Sequence, residues 1–400
     1  MHEAARASSS RLRLSRQHLL FEKRPHHICR LVSRTDSRTS MKAVAWLLLA
    51  CLHAYCAAGT VTEGPWILNS EPVPREGLRI TTLGSGTPDV RKDQVSSGFL
   101  LELGNEDKFI WDMGTGSYQN LLATAVPAAQ LTKVFLTHLH SDHIADLATF
   151  HVGAMFGRTE PWEVWGPSSE KPELGLNASI AGLRQFMAWD TFSRRRIDLV
   201  GRKDDGDKVI PHEFDFSIPN QLIYSRNGVD ITSTPVSHYK TEGPVALRLD
   251  WNGLSVTYSG DTHPVDSLLN LARGSDVYIE QCMGPIKDFA ALPNNSQYLL
   301  NTSHVTPEQA GHMFNFAQPK LGVLHHLLVN DASRSAIVTA VRENYDGPIT
   351  INEDLMVFDV TKDKVVIRKR LVPTRSWGYW HAELNADVGI DGTAYCLHVA

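Results

Sequence analysis

Apolar positions recur along this chain with two different periods, and the changes of period mark out its elements. Short apolar runs at 78–83, 98–103 and 108–111 read as strands, the last two paired across Gly104-Asn105. The run Gly84-Ser85-Gly86-Thr87-Pro88 turns the chain after the first. A helix is expected over 117–125, a buried strand at 133–136, and a helix from near His143 past Phe150. Strands resume at 229–236, 245–251, 254–259 and 276–280, with a helix at 265–273. A helix at 307–316 with proline in its first turn, a strand at 320–324 and a helix at 332–343 follow. A final hairpin over 349–370 turns at Lys362-Asp363, and 371–400 shows no period and reads as a tail. Residues 151–226 read as a long excursion with a helix at 179–189, three tryptophans (Trp162, Trp165, Trp189) and the cluster Arg194-Arg195-Arg196. Strands alternating with helices predict an α/β protein built in layers.

Four hundred residues with 42% apolar content can bury a large core, and nothing in the composition suggests a fibrous or disordered chain. The first 58 residues stand apart. Residues 1–40 carry eight arginines and three acidic residues, and read as a basic leader or as sequence upstream of a true start at Met41. Met41 and Lys42 precede an apolar run to Cys56 and the small residues Ala57, Ala58 and Gly59, the layout of a secretory signal peptide over 41–58. A transit peptide or an uncleaved anchor are the alternatives, although the run is short for a span of about 20 residues. The secretory reading puts the protein in the periplasm or outside the cell, with no stable membrane insertion after cleavage.

Removing 1–58 takes away ten basic and three acidic residues, so the remainder carries 29 basic and 41 acidic, a net of about −12. Such a surface repels polyanions and argues against nucleic acid as the partner. Only Cys282 and Cys396 remain of five cysteines; they are as readily separate thiols as a pair. With no CxxC, a thiolate zinc finger is excluded.

The densest chemistry lies in Thr137-His138-Leu139-His140-Ser141-Asp142-His143, three imidazoles and a carboxylate within six positions directly after a predicted strand. Neutral imidazoles with a carboxylate form a borderline donor set that suits zinc. Further metal-type residues follow other strands: His238 after 229–236, Asp261 after 254–259, His325 and His326 after 320–324. In a layered α/β protein, groups at the ends of neighbouring strands converge on one rim. Taken singly, His238 could be a satisfied core histidine, Asp261 a helix N-cap and His304 the residue before a capped helix.

The HxHxDH pattern resembles the signature of the metallo-β-lactamase superfamily, and further segments agree over most of 78–370. They are Thr82–Pro88, Asp112-Met113-Gly114, Pro235–His238, Ser259-Gly260-Asp261-Thr262 and Leu324–Leu327. The resemblance implies a four-layer αβ/βα sandwich spanning 59–370, with a metal site at one rim between two sheets. It implies that His138, His140 and His238 hold one cation, that Asp142, His143 and His326 hold a second, and that Asp261 bridges them. His325 competes with His326 for the last place. Asp112 is implied to stand behind the site and orient a ligating histidine. Ser303-His304-Val305-Thr306-Pro307-Glu308 resembles a segment of the ribonuclease Z and arylsulfatase-like subgroup, where the histidine sits near the nucleophile.

The expected activity is therefore hydrolysis of a small organic substrate by water shared between two zinc ions, with manganese or iron as alternatives. Asp142 would align the nucleophile, and His304 would deliver a proton to the leaving group. Relatives that process tRNA carry a long gripping arm between the third histidine and the bridging aspartate; here 23 residues separate His238 from Asp261, room for one hairpin. A phosphodiesterase of the ribonuclease Z type, a lactonase or β-lactamase-type ring hydrolase, and a non-enzymatic binding protein are the rival readings. The fullness of the ligand set speaks against the last. Val164–Ser168, Ala188–Thr191 and Asn352–Val357 are also similar to segments of guanitoxin-pathway hydrolases of this fold. In that light 151–226 would wall or cover the cleft, its tryptophans lining it or simply packing in the core. Homodimerisation is left open.

Overall fold

The computed structural model describes residues 60–64, 71–89, 91–155, 157–195, 205–284, 293–327 and 331–370. The leader and signal segments at 1–58, Arg196, and the tail at 371–400 with Cys396 lie outside the described residues. Among the described residues, no helix is long and apolar enough to cross a membrane.

The first sheet is built from both ends of the chain. Strands β1 (Thr60–Glu63), β2 (Leu78–Gly84), β3 (Gly98–Leu103) and β4 (Lys108–Met113) are joined by β5 (Lys133–Phe135), β6 (Trp162–Pro167) and β7 (Val209–Phe214). The hairpin β15 (Met356–Val360) and β16 (Lys364–Lys369) inserts between β1 and β2, giving the order β1-β16-β15-β2-β3-β4-β5-β6-β7. The second sheet runs β14-β13-β12-β11-β10-β9-β8. Its strands are β8 (Gln221–Arg226), β9 (Val229–Pro235), β10 (Val245–Trp251), β11 (Leu254–Tyr258), β12 (Val277–Gln281), β13 (Leu321–His325) and β14 (Ile349–Ile351).

Period-2 alternation dictates how these sheets stack. Phe99, Leu101, Phe109, Trp111 and Phe135 of the first sheet meet Leu247, Leu249, Val256, Tyr258, Val277 and Ile279 of the second in one buried cluster. The intervening residues Leu100, Ile110 and Val134 face the other way. They pack beneath α1 (Ser117–Ala123), α3 (Leu147–Met155) and α4 (Leu176–Arg195), which supply Leu121, Phe150 and Ile180. On the far side, Ala246, Tyr278 and Leu324 pack against α5 (Asp266–Ala272), α7 (Pro307–Ala317) and α8 (Asp331–Arg342). Three apolar seams separate four layers, helix-sheet-sheet-helix, in agreement with the expected sandwich.

Several boundaries differ from the sequence reading. The excursion at 151–226 is largely part of the sandwich: β6 and β7 close one end of the first sheet and β8 one end of the second. Trp162 and Trp165 are core residues, Trp165 stacking on Phe135 at 4.6 Å. Trp189 lies on α4 and is 79% exposed. Arg194 and Arg195 end α4 and pair with Asp190 and Asp207. The helix expected from His143 is two pieces, α2 (Ser141–Ile144) and α3. Residues 349–351 belong to the second sheet, so the terminal hairpin is 356–369 alone. A helix over 294–303, α6 (Asn294–Ser303), was not expected; its mixed polar face gives little period.

Phe135→Ala removes a ring that packs against Phe109, Trp165 and Tyr224, and should cost about 3–5 kcal/mol. Trp189→Ala should cost no more than about 0.5 kcal/mol. Urea denaturation of both variants checks the contrast.

Candidate metal centre

The segments carrying the ligand-type residues all end at one rim. The 138–143 segment follows β5, His238 follows β9, Asp261 follows β11, and His326 follows β13. Backbone bonds stitch these loops together. The Val245 N–H donates to the Thr137 carbonyl, the His263 N–H to Ser237, and the His326 N–H to Ser85, each at 2.8–3.1 Å. Gly260 has φ +58°, and a Cβ there would stand 2.8 Å from Thr137 Cβ and 3.0 Å from the Val245 carbonyl, so glycine is required.

Behind the rim lies Asp112, fully buried at the end of β4 with φ +54°. Its Oδ1 accepts the Thr137 N–H at 2.9 Å and its Oδ2 the Thr137 hydroxyl at 2.8 Å. The same Oδ2 lies 2.7 Å from His143 Nδ1. This places the proton on Nδ1 and turns Nε2 to the front. His238 is set the same way, with Nδ1 3.0 Å from the Ser303 carbonyl.

Two clusters result. His138 Nε2 and His140 Nδ1 are 3.0 Å apart, and His238 Nε2 is 3.3 Å from His140 Nδ1. Asp142 Oδ2 lies 3.0 Å from His326 Nε2 and 3.5 Å from His143 Nε2. Asp261 closes this second cluster, with Oδ1 3.5 Å from His143 Nε2 and Oδ2 3.3 Å from His326 Nε2. Asp261 Oδ2 is also 3.9 Å from His238 Nε2, so this carboxylate spans the two clusters. The ligand atoms within each cluster lie within 4.8 Å of one another, as do those of His238, Asp261 and His304.

The donor set fits metal ions. Nitrogens around a tetrahedral zinc at roughly 2.0–2.1 Å stand about 3.3 Å apart, and the spacings here are close to that. Within the second cluster, His143 Nε2 and Asp261 Oδ1 are buried without a hydrogen-bond partner. Burial, with neighbouring His143, holds His138 well below the ordinary histidine range, so its lone pair is free. Burial and His238 lower His140 as well. Burial alone would lower His143, but Asp112 and Asp261 raise it well above the usual value. Burial opposes ionisation of Asp142 and Asp261, yet the facing histidines hold both carboxylates low. Carboxylates that attract a proton to His143 attract a cation equally.

His326, not His325, joins the carboxylates. With φ +58° it turns out of β13 toward Asp142 and Asp261. His325 points into the seam between the sheets, where Ser97 Oγ lies 3.0 Å from its Nε2 and Asn352 Nδ2 3.0 Å from its Nδ1. His304 follows α6, meets His238 edge to face at 5.0 Å and stacks with His326 at 5.9 Å between centroids. Burial lowers its pKa to about 3. Cys282 is a buried free thiol that belongs to neither cluster. Sequence reasoning passed over Thr137, which ties Asp112 to the histidine segment, and the turn after His238; nothing in their residue types distinguishes them.

Residues 90–301 match the Metallo-beta-lactamase superfamily. The chain belongs to that superfamily and is a metal-dependent hydrolase. Ribonuclease Z of Mycobacterium bovis is 32% identical over 208 residues, half of this chain and 69% of that protein. Ribonuclease Z of Mycobacterium avium is 28% identical over 293 residues, 70% of this chain and 96% of that protein. Among solved structures, the metallo-beta-lactamase fold protein YhfI from Bacillus subtilis shares 19% identity at a TM-score of 0.53, covering 71% of this chain and all of that one. The short form of human tRNase Z shares 19% identity at a TM-score of 0.50, covering 70% and 98%. These two likenesses are of fold.

Asp112→Ala would strand the Thr137 N–H, its hydroxyl and His143 Nδ1 in the interior. The metal-free variant should lose about 3–5 kcal/mol of unfolding free energy, measured by denaturant titration; a loss under about 1 kcal/mol would contradict this account of Asp112.

Proposed function

We propose that this protein is a binuclear zinc hydrolase that cleaves a phosphodiester-type bond in a small substrate. The observation that carries the reading is the pair of donor clusters spanned by Asp261. In it, His138, His140 and His238 would hold one zinc, Asp142, His143 and His326 would hold the other, and Asp261 would serve both. Imidazole and carboxylate donors without thiolate favour zinc, with manganese or iron as substitutes. Such a pair, when bound, polarises the substrate and brings the pKa of a shared water toward neutrality.

The protein's own groups do the rest. Asp142, kept ionised by His143 and His326, accepts a hydrogen bond from the attacking water and fixes its direction. Asp112 and the Ser303 carbonyl lock the rings of His143 and His238. His304 presents an N–H to the leaving oxygen. Its low value keeps the free ring neutral, and an anionic substrate beside it raises that value, the direction proton delivery needs.

The ribonuclease Z relatives support phosphodiester chemistry, since a ribonuclease by name cleaves RNA. They also favour RNA itself as a second reading. Against RNA stands the stretch from His238 to Asp261, filled by a turn and the β10–β11 hairpin with no arm. The acidic balance beyond residue 58 points the same way, and the signal-like segment at 41–58 supports a periplasmic or secreted enzyme.

Zinc-loaded protein should turn over a chromogenic phosphodiester faster than a carboxylic ester, a lactone or a sulfate ester, and should leave precursor tRNA uncut. His138→Ala or Asp261→Ala with undiminished turnover would end the proposal. His304→Ala should slow substrates with alkoxide leaving groups by about 10²-fold or more, and nitrophenolate substrates much less, because nitrophenolate departs without a proton.

Metal uptake should also be coupled to protons. With its pKa raised, His143 holds a proton at pH 7 in the metal-free protein, and ligation through Nε2 must expel it. Calorimetric zinc titrations at pH 7 in buffers of different ionisation enthalpy should show release of at least about one proton, from His143 and in part from the shared water. The release should shrink as pH rises through the raised value. No buffer dependence at pH 7 would contradict the assignment.

A further inference from the structure

Among non-glycine residues with left-handed backbone, three stand at the metal centre: Asp112, Lys240 and His326, at φ +54°, +55° and +58°. Two of them have evident reasons, since Asp112 holds Thr137 and His143 from behind and His326 joins the carboxylate cluster. Lys240 has none in the fold. It is the third residue of a four-residue turn closed by the Thr241 N–H on the His238 carbonyl at 2.8 Å. Glycine ordinarily fills that position when φ is positive, and a lysine there is strained. A strained residue kept beside a reactive centre points to use of its side chain.

The surroundings say what that use is. Thr241 Oγ1 lies 3.5 Å from His140 Nε2, so the turn borders the first histidine cluster. Lys240 Nζ stands 5.1 Å from the ring centre of Tyr239. Tyr239 meets Tyr298 edge to face at 5.6 Å. Tyr298 is 59% exposed and sits on α6, five residues before the Ser303 carbonyl that orients His238. The nearby Lys171 pairs with Glu242 at 4.0 Å. Among the described residues, no carboxylate lies within ion-pair distance of Lys240.

We propose that Lys240 is a specificity-determining residue that binds an oxyanion of the substrate separate from the bond being cleaved, with Tyr239 and Tyr298 as an apolar wall for the body carrying it. The substrate class is a small organic ester bearing a second anionic group. This rests on the reading of the two clusters as a hydrolytic metal centre.

The test is equilibrium binding to zinc-loaded full-length protein, comparing terephthalate with its monomethyl ester. Both offer one carboxylate to the metals, and only the first offers another. Wild type should prefer terephthalate by about fivefold, and both Lys240→Met and Lys240→Gly should bring the ratio close to one. Lys240→Gly should in addition melt higher than wild type, because it relieves the left-handed backbone. No preference in wild type, or a preference retained by Lys240→Met, would overturn the inference; so would a glycine variant that melts lower, which would make the turn a packing device. Precursor tRNA that displaces terephthalate from wild type but not from the variants would assign the lysine to RNA instead. Turnover without the binding preference fails this inference alone; the preference without turnover fails only the hydrolase reading.

Discussion

His138, His140 and His238 bring ring nitrogens within 3.0–3.3 Å of one another, a spacing at which lone pairs must share either a proton or a cation. That constraint organises this molecule. Burial strips His138 and His140 of affinity for protons, while buried carboxylates draw positive charge to His143. The rim is thus prepared for positive charge. Asp112 transmits the demand into the fold, because one carboxylate buried at the end of β4 fixes both the chain entering the histidine segment and the ring of His143.

The site was more legible in the sequence than the architecture around it. The seven ligand-type residues each follow a strand, and an alternating strand such as β10 is visible from residue types alone. The resemblance favoured His326 and left His325 open, and the residues themselves do not decide between them. The choice depends on a positive φ and on Ser97 and Asn352 waiting in the seam for His325, neither of which a local pattern encodes. The stretch 151–226 was misread because β6 and β7 carry prolines and β8 is bulged at a sheet edge, which blurs the alternation that marks a strand. Of the two readings of Trp162 and Trp165, cleft lining or core packing, their positions in β6 select the core.

The donor atoms come from loops of both sheets, so the metal centre joins the two halves of the sandwich at one rim while the aromatic seam joins them along their length. Phe99 touches both Tyr258 and His325, which makes the inter-sheet core continuous with the residues next to the ligands. Packing errors deep in the seam would therefore reach the site through β11 and β13.

The insertion of β15 beside β2 has a consequence for how such a chain is made. Arg79 on β2 bonds Asp359 on β15, a partner 280 residues further along. A ribosome delivers the β2 edge long before its neighbour exists, so for most of synthesis that strand presents unpaired backbone to whatever is nearby. Productive maturation of the first sheet must wait for the last segments to emerge, and the nascent polypeptide must be kept from sticking to others in the meantime.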